Sequence, residues 1–269
     1  MKYAIISDIH ANAQALQMVI KMCHAQRVDK IVNLGDTVGY GSRPNECCEM
    51  LRAHDIVSIA GNHDLAACGV FEPVYFKFQA RHRMLWTRAV LNANSRRYLE
   101  SLPEAFVIDN AFVIVHGSLK SYSQYLLTEK AIQQSFALLK KNYPEFNICF
   151  FGHTHKAVAH ELNAEDLRSL ETLQFKLNAE SLYLINPGSI GYPRYKDSPL
   201  SFAVYDSDNK TIRLVRLEAP DARLQDDMQP DIALDAALMR QYMLFMAKAG
   251  ARFIRNRFFN RAHSEALMR

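Results

Sequence analysis

No run of about 18 uninterrupted apolar residues occurs, so no segment reads as a membrane-spanning helix. No Cys-x-x-Cys pair occurs either, and the five cysteines (Cys23, Cys47, Cys48, Cys68 and Cys149) are odd in number. That pattern suits neither a disulfide framework nor a thiolate zinc site, and it predicts reduced, packed thiols. Internal repeats and low-complexity stretches are missing, which excludes collagen-like, mucin-like and disordered architectures. The opening residues meet Asp8 before a signal-peptide apolar region develops, so a cytoplasmic location is expected. Charge is also nearly balanced: 32 Lys and Arg against 28 Asp and Glu leave +4, which does not by itself call for a nucleic-acid partner. A chain of 269 residues with 49% hydrophobic and 22% charged residues can bury a full core, in one domain or one domain with a small appendage.

The first 65 residues alternate between two periodicities. Residues 3–6 form a short apolar strand, after which Ala15, Leu16, Val19, Ile20 and Cys23 recur at helical spacing. Residues 30–34 read as a second strand, residues 44–54 as a helix with proline at its start, and residues 56–60 as a third strand. This β-α-β-α-β order predicts a parallel sheet with right-handed crossovers. Residues 74–102 look helical. Strands are expected at 105–108 and 112–115 around the turn-forming Asp109-Asn110, a helix at 129–141, and a buried strand at 147–151. Strands at 182–185, 201–205 and 211–217 complete a second, strand-rich half.

After each of five strands come residues able to hold a ligand: Asp8-Ile9-His10, Gly35-Asp36, Gly61-Asn62-His63-Asp64, His116-Gly117 and Gly152-His153-Thr154-His155. Groups beyond strand C-termini line the binding crevice of open α/β sheets, so separate stretches of chain aim their chemistry at one edge. Glycine lets the backbone turn sharply and approach a site closely. Asp, Asn and His offer oxygen and nitrogen donors suited to manganese, iron, zinc or nickel. Asp8, His10, Asp36, Asn62, His116, His153 and His155 are too many for one tetrahedral ion and about right for two ions sharing a carboxylate. His24, His54, His82, His160 and His263 lie outside these blocks and read as surface or packing residues.

The five blocks resemble the calcineurin-like metallophosphoesterases, whose pattern runs D-x-H, G-D, G-N-H-[D/E], H and G-H-x-H in this order. The resemblance covers residues 1–217. Gly35-Asp36-Thr37-Val38-Gly39-Tyr40-Gly41 and Ile185-Asn186-Pro187-Gly188-Ser189 look most like the bacterial and archaeal small-phosphodiesterase branch. The resemblance implies an α/β fold of two packed mixed β-sheets flanked by α-helices. It implies two divalent cations, manganese first among iron, zinc and nickel. Asp8, His10 and His155 would hold one, Asn62, His116 and His153 the other, with Asp36 bridging. A hydroxide shared by cations about 3.5 to 4 Å apart would attack phosphorus in line. His63 resembles the family's general acid, with Asp64 orienting its imidazole. Asn12 and Arg194 resemble positions near the family's phosphate pocket. The expected activity is a phosphodiesterase for small or nucleotide-like esters. The alternatives are a phosphomonoesterase and an inert scaffold, as in the eukaryotic retromer subunit of this fold, which lacks the general-acid histidine.

The chain departs from the branch at Ala11, where glycine is frequent, and at Tyr192, where glutamine is frequent. Tyr192 narrows the pocket or adds a stacking surface for a base. The Asp-Arg-Gly run of protein Ser/Thr phosphatases is replaced by Gly39-Tyr40-Gly41, which argues against a phosphoprotein phosphatase and the related symmetrical dinucleoside-tetraphosphate hydrolases.

Residues 218–269 fall outside the resemblance and read as a helical extension breaking near Gly250. Five acids within residues 219–239 precede a basic stretch in which Phe245, Phe253, Ile254, Phe258 and Phe259 sit among Lys248, Arg252, Arg255, Arg257 and Arg261. Such a segment suits a helix docked on the core or on a second copy in a homo-oligomer. An anionic membrane surface and nucleic acid are the alternative partners.

Overall fold

The structure, a computed structural model, describes residues 1–74, 76–170, 172–192, 194 and 199–217. The expected helical extension at 218–269 lies outside these residues. In chain order the elements are β1 (Lys2–Ile6), α1 (Ala13–Ala25), β2 (Lys30–Asn33), α2 (Pro44–Ala53), β3 (Val57–Ser58) and α3 (Asn62–Cys68). Then come α4 (Phe78–Val90), α5 (Ala93–Glu100), β4 (Ala105–Ile108), β5 (Phe112–Val115), α6 (Glu129–Asn142) and β6 (Ile148–Phe150). The remaining elements among the described residues are strands: β7 (Val158–Asn163), β8 (Asp166–Leu170), β9 (Gln174–Lys176), β10 (Ser181–Asn186), β11 (Ser201–Asp206) and β12 (Thr211–Arg216).

Two mixed sheets result, ordered β3-β2-β1-β11-β12-β9 and β4-β5-β6-β10-β7-β8. The expected parallel start is present: β1 pairs with β2 and β2 with β3, both parallel. The strands' two-residue period sorts the core into layers. Ala4 and Ile6 of β1 face α1 and α2, whereas Tyr3 and Ile5 face the other sheet. Phe112 and Ile114 of β5 answer them between the sheets, while Val113 and Val115 turn outward onto Ile132, Phe136 and Leu139 of α6. Phe112, Phe150 and Tyr205 meet in the middle, with Phe112 edge-on to both partners at 5.0 and 5.7 Å. Such aromatic geometry adds about 0.5–1.5 kcal/mol per pair to the area buried.

Local chemistry sets the helix ends. Asn12 caps α1 by accepting from Ala15 N at 3.0 Å, and Thr128 caps α6 by accepting from Ala131 N. The helical stretch expected at 74–102 divides in two, because Leu91 leaves helical geometry and Asn92 caps a new helix through Ser95 N.

Candidate metal centre

Four motif blocks sit in the turns that follow β1, β2, β5 and β6, and Gly61-Asn62-His63-Asp64 opens α3 after β3. These turns are conformationally demanding. Asp8, His10, Asp36, His153 and His155 all take positive φ, between 48° and 65°. Such conformations cost energy and concentrate where the surrounding structure enforces them for function. Ala11, where the branch often has glycine, sits at φ 58°, a conformation glycine adopts freely. Close packing forces glycine at Gly61, where a Cβ would lie 2.1 Å from Asp36 Oδ1, and at Gly39, where it would lie 2.4 Å from His63 Nδ1.

The two carboxylates are held in the same manner. Asp8 Oδ2 accepts from Ser7 Oγ at 2.7 Å and from the His153 backbone N–H at 3.0 Å. Asp36 Oδ1 accepts from the His63 backbone N–H at 2.8 Å. In each case the other oxygen, Asp8 Oδ1 or Asp36 Oδ2, is buried without a hydrogen-bond partner. An acceptor-only group left this way is costly unless a cation meets it.

The histidines complete the pattern. His10 Nδ1 donates to Val38 O, His116 Nδ1 to Leu34 O, and His155 Nδ1 to Tyr192 O. A carbonyl only accepts, so each Nδ1 carries the hydrogen and a neutral ring keeps its lone pair on Nε2. His153 is reversed: Nε2 donates to Ser123 O, and the buried Nδ1 has no partner. This outer hydrogen bond to a fixed acceptor is how metal-ligating histidines are oriented.

The inward atoms converge. Asp8, His10 and His155 form one group and Asp36, His116 and His153 another, with the ligand atoms of each within 4.8 Å of one another. His155 Nε2 lies 3.1 Å from Asp8 Oδ1 and 3.0 Å from His10 Nε2. His116 Nε2 lies 3.3 Å from Asp36 Oδ2 and 3.2 Å from Asn62 Oδ1. Asp36 Oδ2 is also 3.7 Å from His10 Nε2, which puts it between the groups. Lone pairs facing one another at such distances repel unless cations lie among them, so the donor set fits divalent ions.

The electrostatics divide the histidines: His10 and His153 stay neutral, while His116 takes up a proton beside the carboxylates where no cation meets them. Burial pushes His10 well below its ordinary value and His153 down to about 3, favouring neutral rings. For Asp8 and Asp36 burial opposes ionisation, yet the surrounding histidines hold both well below the usual carboxylate range. Burial also disfavours a charged His116, but Asp36 and then Asp8 overcome it and raise the ring to about 9. Two ionised carboxylates thus demand positive charge at this spot.

His63 is 3% exposed, with its ring 4.8 Å from His10, 4.9 Å from Tyr40 and 4.8 Å from Phe76. It also groups with His10 and Asp36 within ligand distance. Asp64, expected to orient the His63 imidazole, has a different set of partners. Its Oδ1 accepts from Val38 N and its Oδ2 from Thr37 N and Gly61 N, so it ties the β2 turn to the start of α3. It acts on the site by holding the loop that carries Asp36. Asn12, expected near the phosphate pocket, is fully buried, with its amide donating to Gly191 O at 3.1 Å while its oxygen caps α1.

Arg194 is half-buried at the mouth. Its guanidinium donates to the Tyr125 hydroxyl at 2.8 Å and lies 5.5 Å from the centre of that ring. Tyr192 stacks on Tyr40 at 4.3 Å, and both rings reach His10. Sequence reasoning missed Tyr125, Ser7 and Phe76, which touch the ligand-bearing residues but carry no motif.

Comparison with known proteins gives the same family. A calcineurin-like phosphoesterase superfamily domain matches residues 1–210. An uncharacterized protein of Methanocaldococcus jannaschii is 33% identical over 220 residues, covering 80% of this chain and 86% of that protein. The crystal structure of a metallophosphoesterase from Sphaerobacter thermophilus aligns with a TM-score of 0.69 at 34% identity, covering 85% of this chain and 93% of the other. A hypothetical protein from Pyrococcus horikoshii shares the fold at a TM-score of 0.68 and 16% identity, over 89% and 96% of the two chains. The chain belongs to the calcineurin-like phosphoesterase superfamily.

Proposed function

We propose that this phosphoesterase is a phosphodiesterase that works on small or nucleotide-like phosphate esters with two divalent cations, manganese first among the candidates. The observation that carries the reading is the pair of buried, partnerless carboxylate oxygens, Asp8 Oδ1 and Asp36 Oδ2, among inward-facing histidine nitrogens. Asp8, His10 and His155 would hold one cation and Asn62, His116 and His153 the other, with Asp36 common to both. When bound, such a pair activates a water nucleophile at neutral pH and neutralises charge on phosphoryl oxygens.

The chain's own groups supply the rest. His63 is the general acid: its imidazole makes no hydrogen bond among the described residues, so no protein group competes for the proton it passes to the leaving oxygen. Asp64 and Gly61 keep Asp36 and His63 in place through the α3 turn. Arg194 adds a fixed positive charge for the ester, and Tyr40 stacked on Tyr192 forms an aromatic wall beside His10.

The test compares hydrolysis of bis-p-nitrophenyl phosphate and p-nitrophenyl phosphate with added Mn²⁺, in wild type and His63→Ala. Metal-dependent turnover of the diester, falling about a hundredfold or more in the variant, is the expected result. Preference for the monoester would change the activity assigned to the same site. No turnover with two ions bound, whichever of Mn²⁺, Ni²⁺, Fe²⁺ or Zn²⁺ is supplied, would make the protein a scaffold.

A further inference from the structure

We infer that Tyr125 is a positioning residue that holds the Arg194 guanidinium over the metal cluster, where it binds an anionic oxygen of the phosphoryl group. The inference rests on the functional reading above and adds to it a protein-supplied cation and the residue that aims it. The two residues come from different parts of the chain. Tyr125 lies in the loop between β5 and α6, and Arg194 lies between β10 and β11. They meet through two contacts: the Arg194 Nη1 hydrogen bond to the Tyr125 hydroxyl at 2.8 Å, and the guanidinium 5.5 Å from the ring centre.

The Tyr125 ring is itself anchored to the candidate ligands. It stacks on His153 at 4.0 Å and 26°, and the neighbouring Ser123 carbonyl accepts from His153 Nε2. The tyrosine therefore spans from a metal-ligating imidazole on one side to a cation on the other. Arg194 is linked to the cluster through one ring, since the tyrosine that accepts its hydrogen bond at 2.8 Å stacks on His153 at 4.0 Å. Burial opposes the Arg194 charge, but Tyr125 and then Asp8 and Tyr40 favour the charged form.

A long arginine side chain at a site mouth samples many rotamers, and ordering it costs free energy at the moment of binding. The hydroxyl contact and the ring face fix its position beforehand. Because the guanidinium uses only part of its fork on Tyr125, donors remain for a phosphoryl oxygen. Tyr125 is 43% exposed, so Tyr125→Phe removes only the hydroxyl and leaves the ring on His153.

The experiment uses the full chain loaded with Mn²⁺, with bound metal counted for every protein. Inorganic phosphate binding is measured by titration calorimetry, and KM and kcat are measured on bis-p-nitrophenyl phosphate. For Tyr125→Phe a roughly tenfold rise in phosphate Kd is expected, with KM moving in parallel, kcat changed by less than about threefold, and metal content unchanged. Arg194→Gln should weaken phosphate at least as much, and the double variant should match Arg194→Gln alone, since the tyrosine acts through the arginine.

Wild-type phosphate affinity in Tyr125→Phe, additive losses in the double variant, or loss of metal on removing the hydroxyl would each overturn the inference. So would a metal-loaded wild type that binds no phosphate. A wild type that binds phosphate and hydrolyses no ester defeats the functional reading alone, because the pattern across the variants still decides the role of Tyr125.

Discussion

Replacing Asp36 by Asn tests the shared carboxylate. The change keeps the oxygen that accepts from the His63 backbone N–H and removes the charge at Oδ2, between the two histidine groups. Metal binding to the folded state alone stabilises it by about 2.7 kcal/mol per site at a free concentration one hundredfold above Kd. Two sites give about 5 kcal/mol, and for a domain of this size that raises Tm by roughly 10–20 °C over the protein in chelator. Asp36→Asn is expected to lose most of that shift because one oxygen serves both sites. Asn62→Ala touches the His116 group alone and is expected to keep about half. Differential scanning calorimetry in chelator and in millimolar Mn²⁺, with metal counted by mass spectrometry, reads both quantities. Equal Mn²⁺ shifts for wild type and Asp36→Asn, with two ions still bound, would refute the bridging assignment. No shift in wild type with any first-row divalent ion would refute the metal centre itself.

Gly61→Ala places a Cβ 2.1 Å from Asp36 Oδ1 and is expected to lose bound metal, whereas Gly69→Ala, which meets nothing within 4 Å, should keep it at a strain cost of about 1 kcal/mol; metal counts and urea melts separate the two. Burial, then Lys156, pushes His160 down to about 4, so the folded state favours its neutral ring. Its contribution is fully present above the unfolded value of 6.5 and is lost as pH falls from there towards 4, roughly 2 kcal/mol between pH 7 and pH 5. The metal-loaded wild type should therefore lose that much more stability over this range than His160→Gln, and parallel urea midpoints would contradict it. Phe150→Ala empties a fully buried ring site between the sheets and should cost about 3–5 kcal/mol by urea denaturation with two ions retained; a loss under about 1 kcal/mol would mean the sheets repack around the gap.

The helices and the buried strands were legible because each buries one repeating face. The α1 residues Leu16, Val19, Ile20 and Cys23 are all buried, and the parallel β1-β2-β3 start follows from their spacing along the chain. Strands β7, β8 and β9 were missed. Exposed positions break the alternation along β8, Asp166–Leu170, and β9 spans only Gln174–Lys176, too short for its alternation to stand out. Pairing decides them: β7 on β10, β8 on β7 and β9 on β12. Helix α3 was missed because Gly61-Asn62-His63-Asp64 reads as a ligand loop. Its helical geometry comes from Asp64 bonding back to Gly61 N.

By itself the sequence marked the candidate ligand side chains and showed that they arrive after strands, because metal-binding donors need particular residue types and sharp turns need glycine or tolerant residues. It also determined the period-2 and helical faces from which the layers form. Only the tertiary structure decided which atoms meet. The spare oxygens of Asp8 and Asp36 are distinguished from their anchored ones by backbone N–H groups distant in sequence. The ring nitrogen each histidine presents is set by a carbonyl on another turn, Val38 for His10, Leu34 for His116 and Ser123 for His153. Asp64 went to the backbone rather than to His63, and Arg194 went to Tyr125, 69 residues away. Hydrogen bonds depend on distance and direction in space, and neither is written in the spacing of residues along a chain.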